Sequence, residues 1–305
     1  MDILLVPNRD KPDALHAAEQ LFKLLVQALK ARAPNRGAGG GAGGRVAVMP
    51  GVDWTQLAEF KPDLVVVLGG DGSILTTAQA LGGLHVPVVG INFGKLGYLA
   101  AYSMEEFIEC LEPILAGAAP RTERLMLQAA IYPWRKKGDI QPLATLQALT
   151  PRATGLALND VVINAGEPFR MIELEVQVDE ERTTTFRSDG LVVATASGST
   201  GYNLSAGGPL ISPGVEAMVL TPICPYTLSF RPVVLPAGAA ILVCPHRLNP
   251  GSRVNFDGQV NMPLAEDECL LIRRAAHTLT LVENPRLTHW QMLAEKMHWA
   301  RSPRH

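Results

Sequence analysis

The most constraining stretch of this sequence is residues 63–73, Asp-Leu-Val-Val-Val-Leu-Gly-Gly-Asp-Gly-Ser. Five successive apolar residues, Leu64 to Leu68, end in Gly69-Gly70-Asp71-Gly72-Ser73. A short apolar run without polar alternation is the pattern of a strand covered on both faces, as in a parallel sheet. The glycines give the backbone access to positive φ and let a ligand approach closely. Successive amide N–H groups in such a turn form a concave nest for anions, phosphate foremost. Asp71 stands inside that nest, where it repels a phosphate unless it binds a metal or takes a proton from a nucleophile. The stretch therefore reads as a phosphoryl-transfer site with its own base or metal ligand. An Asp-Gly hairpin turn is the plain alternative. No alternating strand follows, however, and residues 74–81 carry a helical pattern.

Around this stretch the first 115 residues alternate strand and helix patterns. Strands are expected at residues 3–6, 45–49, 64–68 and 86–91, and helices at 11–31, 54–59, 74–81 and 104–115. Pro12 and Asp13 open the first helix, and Leu15, Ala18, Leu21, Phe22, Leu25 and Leu29 recur along it at helical spacing. Such alternation implies a parallel sheet with ligands at the carboxyl ends of its strands. Gly69–Ser73 lies at one such end, and residues 92–98, Asn-Phe-Gly-Lys-Leu-Gly-Tyr, lie at the next. Lys95 is a candidate to face a phosphate there and Tyr98 to stack on a base, although a solvated lysine and a core tyrosine fit the same pattern. Gly39-x-Gly41-x-x-Gly44 has the letters of a dinucleotide fingerprint but lies between a helix and a strand, the reverse of what that motif needs. Residues 37–44 read instead as a flexible loop.

From Arg124 onward short apolar runs separated by turn residues give an all-β signature, at 125–132, 155–164, 171–178, 190–195, 218–221, 230–235, 240–244, 253–256 and 269–273. Residues 134–152 show no period and read as an excursion between strands. Trp290, Leu293 and Met297 give the end of the chain a helical stripe that must be buried somewhere. The expected architecture is an α/β domain over residues 1–123 and a β-rich, sandwich-like domain over 124–284, with residues 285–305 packing back on the first. A chain of 305 residues suits two cores.

A net charge of −2 lacks the basic excess of a general nucleic-acid binder. No apolar run approaches the length of a membrane span, and the first seven residues lack the length and charge of a signal peptide, so a cytoplasmic protein is expected. Cys110, Cys224, Cys244 and Cys269 form no C-x-x-C pair. Neither a zinc site nor a disulfide framework follows, and buried free thiols are expected.

The densest small-polar run, residues 187–209, is Arg-Ser-Asp-Gly-Leu-Val-Val-Ala-Thr-Ala-Ser-Gly-Ser-Thr-Gly-Tyr-Asn-Leu-Ser-Ala-Gly-Gly-Pro. A buried strand is followed by glycines, hydroxyls (Ser197, Thr200, Ser205) and the aromatic Tyr202. With little charge, the run suits a nucleoside better than a bare phosphate. Asn159-Asp160 before the apolar Val161-Val162-Ile163 is a smaller candidate, and equally an ordinary turn leading into a strand. Arg170 and Arg187, each taken alone, read as surface residues.

Together these pieces resemble the NAD kinase family. The match runs in order through Gly69–Ser73, residues 90–97, residues 158–162, residues 187–209, residues 221–225 with Arg231-Pro232, and Asp257-Gly258-Gln259. Gly-Gly-Asp-Gly alone is shared with lipid kinases and phosphofructokinases, whereas residues 189–209 are specific. The resemblance implies an α/β domain followed by a β-rich one, with the tail returning to the first. It implies phosphorylation of the 2′-hydroxyl of the adenosine ribose of NAD by ATP with Mg2+ (or polyphosphate), in a homodimer or homotetramer whose partner subunit completes the site. Asp71 matches the catalytic aspartate, with Gly69, Gly70, Gly72 and Ser73 around it. Asn159 and Asp160 match the adenosine-side pair, and Arg170, Arg187 and Asp189 match further dinucleotide contacts. Thr200, Gly201, Tyr202, Asn203, Leu204 and Ser205 match the dinucleotide loop, and Gln259 a late contact. No residue is assigned to a resident metal. The chain departs from the family in Asp160, usually Glu, in Ala196-Ser197 and Gly201, usually Pro-Thr and Ala, and in the glycine-rich segment at 37–44, which looks like an insertion. A non-catalytic NAD(H) sensor and a lipid or sugar kinase are the rival readings. An intact Asp71 argues against the first, and residues 189–209 against the second.

Overall fold

The structure is a computed structural model and describes residues 1–32, 44–51, 54–94, 97–134 and 143–297. The expectations for residues 37–43 and for Lys95 fall outside them. The chain divides into two compact units, Met1–Glu123 with the segment from Leu279 onward, and Arg124–Thr278.

The first unit opens β1 (Ile3–Pro7), α1 (Pro12–Arg32), β2 (Val46–Val48), α2 (Trp54–Phe60), β3 (Leu64–Gly69), α3 (Asp71–Leu81), β4 (Val88–Asn92), α4 (Met104–Glu109), α5 (Leu111–Leu115). The strands β2-β1-β3-β4 pair in that order, all parallel. Every residue of β3 is buried, as its unbroken apolar run requires. Helix α1 lays Ala14, Ala18, Leu21, Leu25 and Leu29 against the sheet. Each fully buried leucine there contributes about 1.5–3 kcal/mol. The single helix expected over 104–115 breaks at Cys110 (φ −91, ψ 6). The cause is Pro113, whose ring clashes with the carbonyl four residues back, at Glu109.

The chain leaves this unit in β5 (Arg121–Pro133) and continues through α6 (Leu143–Gln147), β6 (Ala153–Ala157), β7 (Asp160–Asn164), β8 (Ile172–Val178), β9 (Glu181–Ser188) and β10 (Gly190–Thr195). A 3-10 turn at Gly198–Thr200 and α7 (Tyr202–Ser205) precede β11 (Ala217–Ile223), β12 (Val233–Pro236), β13 (Ile241–Arg247), β14 (Arg253–Phe256) and β15 (Val260–Pro263). The long β16 (Glu268–Val282) carries the chain back, and α8 (His289–Met297) follows. In the second unit an antiparallel sheet β12-β11-β10-β7-β14-β15 faces the strands β16-β13-β8-β9, with β5 and β6 beside β16. Leu127, Val161, Ile163, Leu174, Leu191, Val193, Met218, Phe256 and Leu270 fill the space between. The β-sandwich is thus present, with more strands than the apolar runs predicted. Strand β9 carries Arg-Thr-Thr-Thr in place of an apolar run and is joined to β8 by a two-residue turn, Asp179-Glu180, with both φ positive (49 and 71). The expected strand over 155–164 is two, β6 and β7.

The cysteine expectation is corrected. Cys244 on β13 and Cys269 on β16 are joined in a disulfide, with Cα atoms 4.5 Å apart. The antiparallel register Ile241↔Ile272, Leu242↔Leu271, Val243↔Leu270 brings them face to face. Of the other two, Cys110 is a buried free thiol and Cys224 an exposed one. No described helix is long and apolar enough to cross a membrane.

Candidate active site

Strand β3 ends at Gly69, beside Asn92 of β4 in register, and the Phe93 amide donates to the Gly69 carbonyl at 2.8 Å. The strand ends therefore meet where parallel α/β sheets present ligands. Gly70 is extended (φ −139, ψ −172) and Asp71 is already the first residue of α3. The turn is thus a helix start, and its first amides and the helix dipole face outward together. None of Gly69, Gly70 and Gly72 has positive φ, which corrects that part of the sequence reading. Close approach is what requires glycine at two positions here. A Cβ on Gly69 would strike the Ser73 side chain, and one on Gly97 would strike the Asp71 carboxylate. Gly70 and Gly72, by contrast, would point a Cβ into open space, with nothing among the described residues within 4 Å.

Asp71 is anchored by three successive backbone amides. Leu99 and Ala100 both donate to Oδ1 at 3.0 Å, and Tyr98 donates to Oδ2 at 2.8 Å. A carboxylate has about four acceptor positions. Oδ1 is therefore filled, whereas Oδ2 keeps one position for a further donor. Ser73 Oγ accepts from Asn8 Nδ2 at 3.0 Å, and Lys11 Nζ donates to the Phe93 carbonyl at 2.7 Å, which puts a lysine at these strand ends. Lys296 Nζ of α8 lies 3.8 Å from Asp71 Oδ2 and 4.4 Å from the centre of the Tyr98 ring. Burial, and then the Asp71 charge, raise the Tyr98 hydroxyl above its ordinary range, and that buried hydroxyl has no hydrogen-bond partner among the described residues. Burial lowers the Lys296 ammonium, while the Asp71 and Glu295 carboxylates oppose the shift. Trp290 of the expected apolar stripe is exposed, whereas Leu293 and, beside it, Met292 are buried.

In the second unit a cavity of about 350 Å3 is lined by Asn159, Asp160, Val162, Asn164, Tyr202, Asn255, Asp257 and Gly258. Strand alternation sends residues 160, 162 and 164 of β7 to this side, and Val161 and Ile163 to the core. Asp257, in the left-handed region (φ 52), repeats the Asp71 arrangement: its carboxylate accepts from the amides of Leu158, Asn159 and Asp160 at 2.7–3.0 Å. That grip separates β6 from β7 and turns Asn159 and Asp160 to the cavity. Asn159 Oδ1 is buried without a partner among the described residues, an acceptor open to a donor. Burial first, and the Asp257 charge second, push the Asp160 carboxyl up to about 7.

Asp160 thus takes its proton at higher pH in the folded chain than at its ordinary value of 3.8. Between these values the folded chain holds a proton that the unfolded chain lacks, so stability falls as pH rises through this window and the penalty is complete above about 7. Asp160→Asn is therefore expected to raise the melting temperature at pH 8 and to change it little near pH 4. Thermal unfolding across that range measures it, and a variant no more stable at pH 8 would contradict the buried carboxylate.

The residues expected to bind gather in two places along β7 and β10. Beside the cavity lie Asn159, Asp160 and Tyr202, with Ser197, Thr200, Gly201, Leu204 and Ser205 on the loop after β10 and Gln259 next to Gly258. Arg170, Arg187 and Asp189 are toward the other end of β7, where Gly190 pairs with Asn164, itself a lining residue of the cavity, and Ile172 with Ser188. Four residues of strand, about 13 Å, separate the two ends. Arg187 pairs there with Glu173 at 3.1 Å. Asn203 is buried with both amide atoms bonded within its own unit, to Ser199, Pro209 and Thr221, and so shapes the loop. Lys11 and Lys296 were not singled out from sequence, and Asp257 and Gly97 entered only within matched stretches, with no role of their own. Asp257-Gly258 carried a turn signal, while nothing local marks the others. Among the described residues no group of three or more His, Cys, Asp or Glu side chains is placed to hold a metal.

A parallel α/β unit with a Gly-Gly-Asp-Gly helix start, together with a β-sandwich bearing a polar cavity, defines a small-molecule kinase of the two-domain type. The family model of the ATP-NAD kinase N-terminal domain matches residues 3–119, and that of the ATP-NAD kinase C-terminal domain matches residues 158–284. The chain belongs to the NAD kinase family. It is 37% identical over 257 residues to the NAD kinase of Geobacter sulfurreducens, covering 84% of each chain, and 39% identical over 237 residues to that of Syntrophotalea carbinolica, covering 78% of each. An NAD kinase from Archaeoglobus fulgidus solved in complex with ATP superposes with a TM-score of 0.70 at 25% identity, over 94% of this chain and 95% of that one. Yeast NADH kinase complexed with NADH shares the fold, with a TM-score of 0.81 at 22% identity, over 100% and 89%.

Proposed function

We propose that the chain transfers the γ-phosphoryl group of ATP to the 2′-hydroxyl of the adenosine ribose of NAD, giving NADP. The observation that carries this is the single open acceptor position on Asp71 Oδ2, held at a helix start whose glycines leave room for phosphates. The 2′-hydroxyl donates to Oδ2 and gives it the proton as the oxygen attacks the γ-phosphorus; ADP leaves with the bridging oxygen. Three amides fix the carboxylate beforehand, so positioning supplies most of the acceleration. Gly69, Gly70, Gly72 and Ser73 cradle phosphate oxygens with the first amides of α3, and Tyr98 borders the same turn.

The two units divide the work: the α/β unit supplies the base and the phosphate nest, and the β-rich unit binds the dinucleotide. Asn159 Oδ1 accepts from the adenine amino group or a ribose hydroxyl, and Asp160 donates while it holds its proton, below about pH 7. Tyr202 and the loop from Ser197 to Ser205 close over the nucleoside, with Gln259 beside it. Arg170, Arg187 and Asp189 meet the far half of the dinucleotide. One carboxylate with three positions filled suits a cation carried by ATP better than a resident one, and Mg2+ arriving with ATP would neutralise phosphate charge. By family likeness the working form is a cytoplasmic homodimer or homotetramer acting on these small molecules, with no nucleic acid or membrane partner.

The test is a coupled assay of NADP formation, with ATP and polyphosphate as donors and NAD and NADH as acceptors, on the wild type and Gly72→Ala. The added methyl has open space and a helical backbone, so the melting temperature is expected to hold or rise while the KM for ATP climbs about tenfold or more. A wild type that forms no NADP or NADPH would refute the assignment.

A further inference from the structure

We propose that Lys296 is a positioning residue of the phosphoryl-transfer site, its ammonium balancing and aiming the Asp71 carboxylate while donor phosphates gather at the start of α3. The proposal rests on the ATP-dependent reading above. Lys296 lies four residues after Met292 and three after Leu293, both buried, and so on that helix's inner face. A cation on an inner face needs a partner. It finds the Tyr98 ring at 4.4 Å and Asp71 Oδ2 at 3.8 Å.

Independent ties set the course of the chain into α8. The Tyr102 hydroxyl donates to the Glu283 carbonyl at 2.6 Å. The buried Asn284 donates to the Ala101 carbonyl at 2.9 Å and to Glu106 at 3.1 Å. Arg286 pairs with Glu109. Thr288 and Gln291 then exchange reciprocal hydrogen bonds at 2.8 and 3.2 Å, a capping box that starts the helix. Two of these ties, Tyr102 and Ala101, belong to the segment that also supplies the amides holding Asp71. The same short stretch thus places both members of the ion pair.

At 3.8 Å the ammonium is beyond hydrogen-bond distance. It adds positive charge beside Oδ2 without filling that oxygen's last acceptor position, which stays open to the attacking hydroxyl. Before transfer the charge offsets the repulsion between Asp71 and the phosphates. Once Asp71 holds the proton, the same charge faces the phosphoryl group in flight.

The experiment measures NADP formation at varied ATP and NAD, and thermal unfolding, for wild type, Lys296→Met and Lys296→Arg. Methionine keeps an apolar stem on Tyr98 and removes the charge; Lys296→Gln replaces it if that variant is insoluble. The expected result is a kcat lower by about 10- to 100-fold, the size expected for removing one unit charge about 4 Å from another near a protein surface, with the KM for NAD little changed, the melting temperature held or raised, and much of kcat recovered by arginine. Unchanged or increased turnover in Lys296→Met overturns the proposal. So do equal losses in both variants together with a lower melting temperature, which would mark a packing role. A wild type that makes no NADP fails the functional reading itself, and this proposal with it.

Discussion

Asp71→Asn is expected to lower turnover by about 10²–10⁴-fold while NAD affinity stays within a few-fold. The substitution has a second consequence. The Asp71 carboxylate also holds residues 98–100 through three amides. An asparagine can keep its oxygen on Leu99 and Ala100 only by turning its NH2 toward the Tyr98 amide, donor against donor. One hydrogen bond is lost, at a cost of about 1 kcal/mol. The melting temperature should therefore fall slightly, and that fall must be separated from the loss of chemistry. Single-turnover kinetics together with calorimetric NAD binding makes the separation. Turnover within tenfold of wild type would remove Asp71 from the role of base.

Gly198→Ala should strike the other unit. A Cβ there would overlap the Asn159 backbone at its carbonyl, and backbone cannot swing aside as a side chain does. The Gly198 amide donates to Thr195 Oγ1 at 3.1 Å, and Thr195 Oγ1 donates to the Leu158 carbonyl at 2.6 Å, so loop and strand start are tied on both sides of the clash. Relief requires lifting the loop off Asn159, at about 1–3 kcal/mol. The expected outcome is a lower melting temperature and a KM for NAD raised about tenfold or more, with a smaller effect on kcat. Gly201→Ala is the control. A Cβ at Gly201 meets only the Gly198 carbonyl, at 3.4 Å, and φ there is −96, so the alanine common in the family should be tolerated. Equal damage from the two substitutions would contradict the close-approach argument.

What was legible in the sequence was local. The unbroken Leu64–Leu68 run announced a doubly covered strand, and Gly69–Ser73 announced its functional end, because both signals lie within eleven neighbouring residues. The handedness assigned to those glycines was wrong because glycine serves close approach as readily as positive φ. Strand β9 was missed since its threonines satisfy β geometry without an apolar signal, and its turn uses Asp179-Glu180 in place of glycine. The Cys244–Cys269 bridge was unreadable because it depends on the register between β13 and β16. The raised Asp160 carboxyl depends first on burial and then on Asp257, 97 positions away in the chain. The Lys296 contact was equally hidden: the helical stripe was visible, but Trp290 on it faces solvent and a lysine faces inward.

The first unit is built from both ends of the chain, with all of the second unit lying between them in sequence. During synthesis Asp71 leaves the ribosome long before Asn284 and Lys296, and the β-sandwich can fold in the interval. The surroundings of Asp71 are therefore finished last. A chain released before Leu279 carries the whole Gly-Gly-Asp-Gly start and yet lacks the segment whose lysine lies beside Asp71.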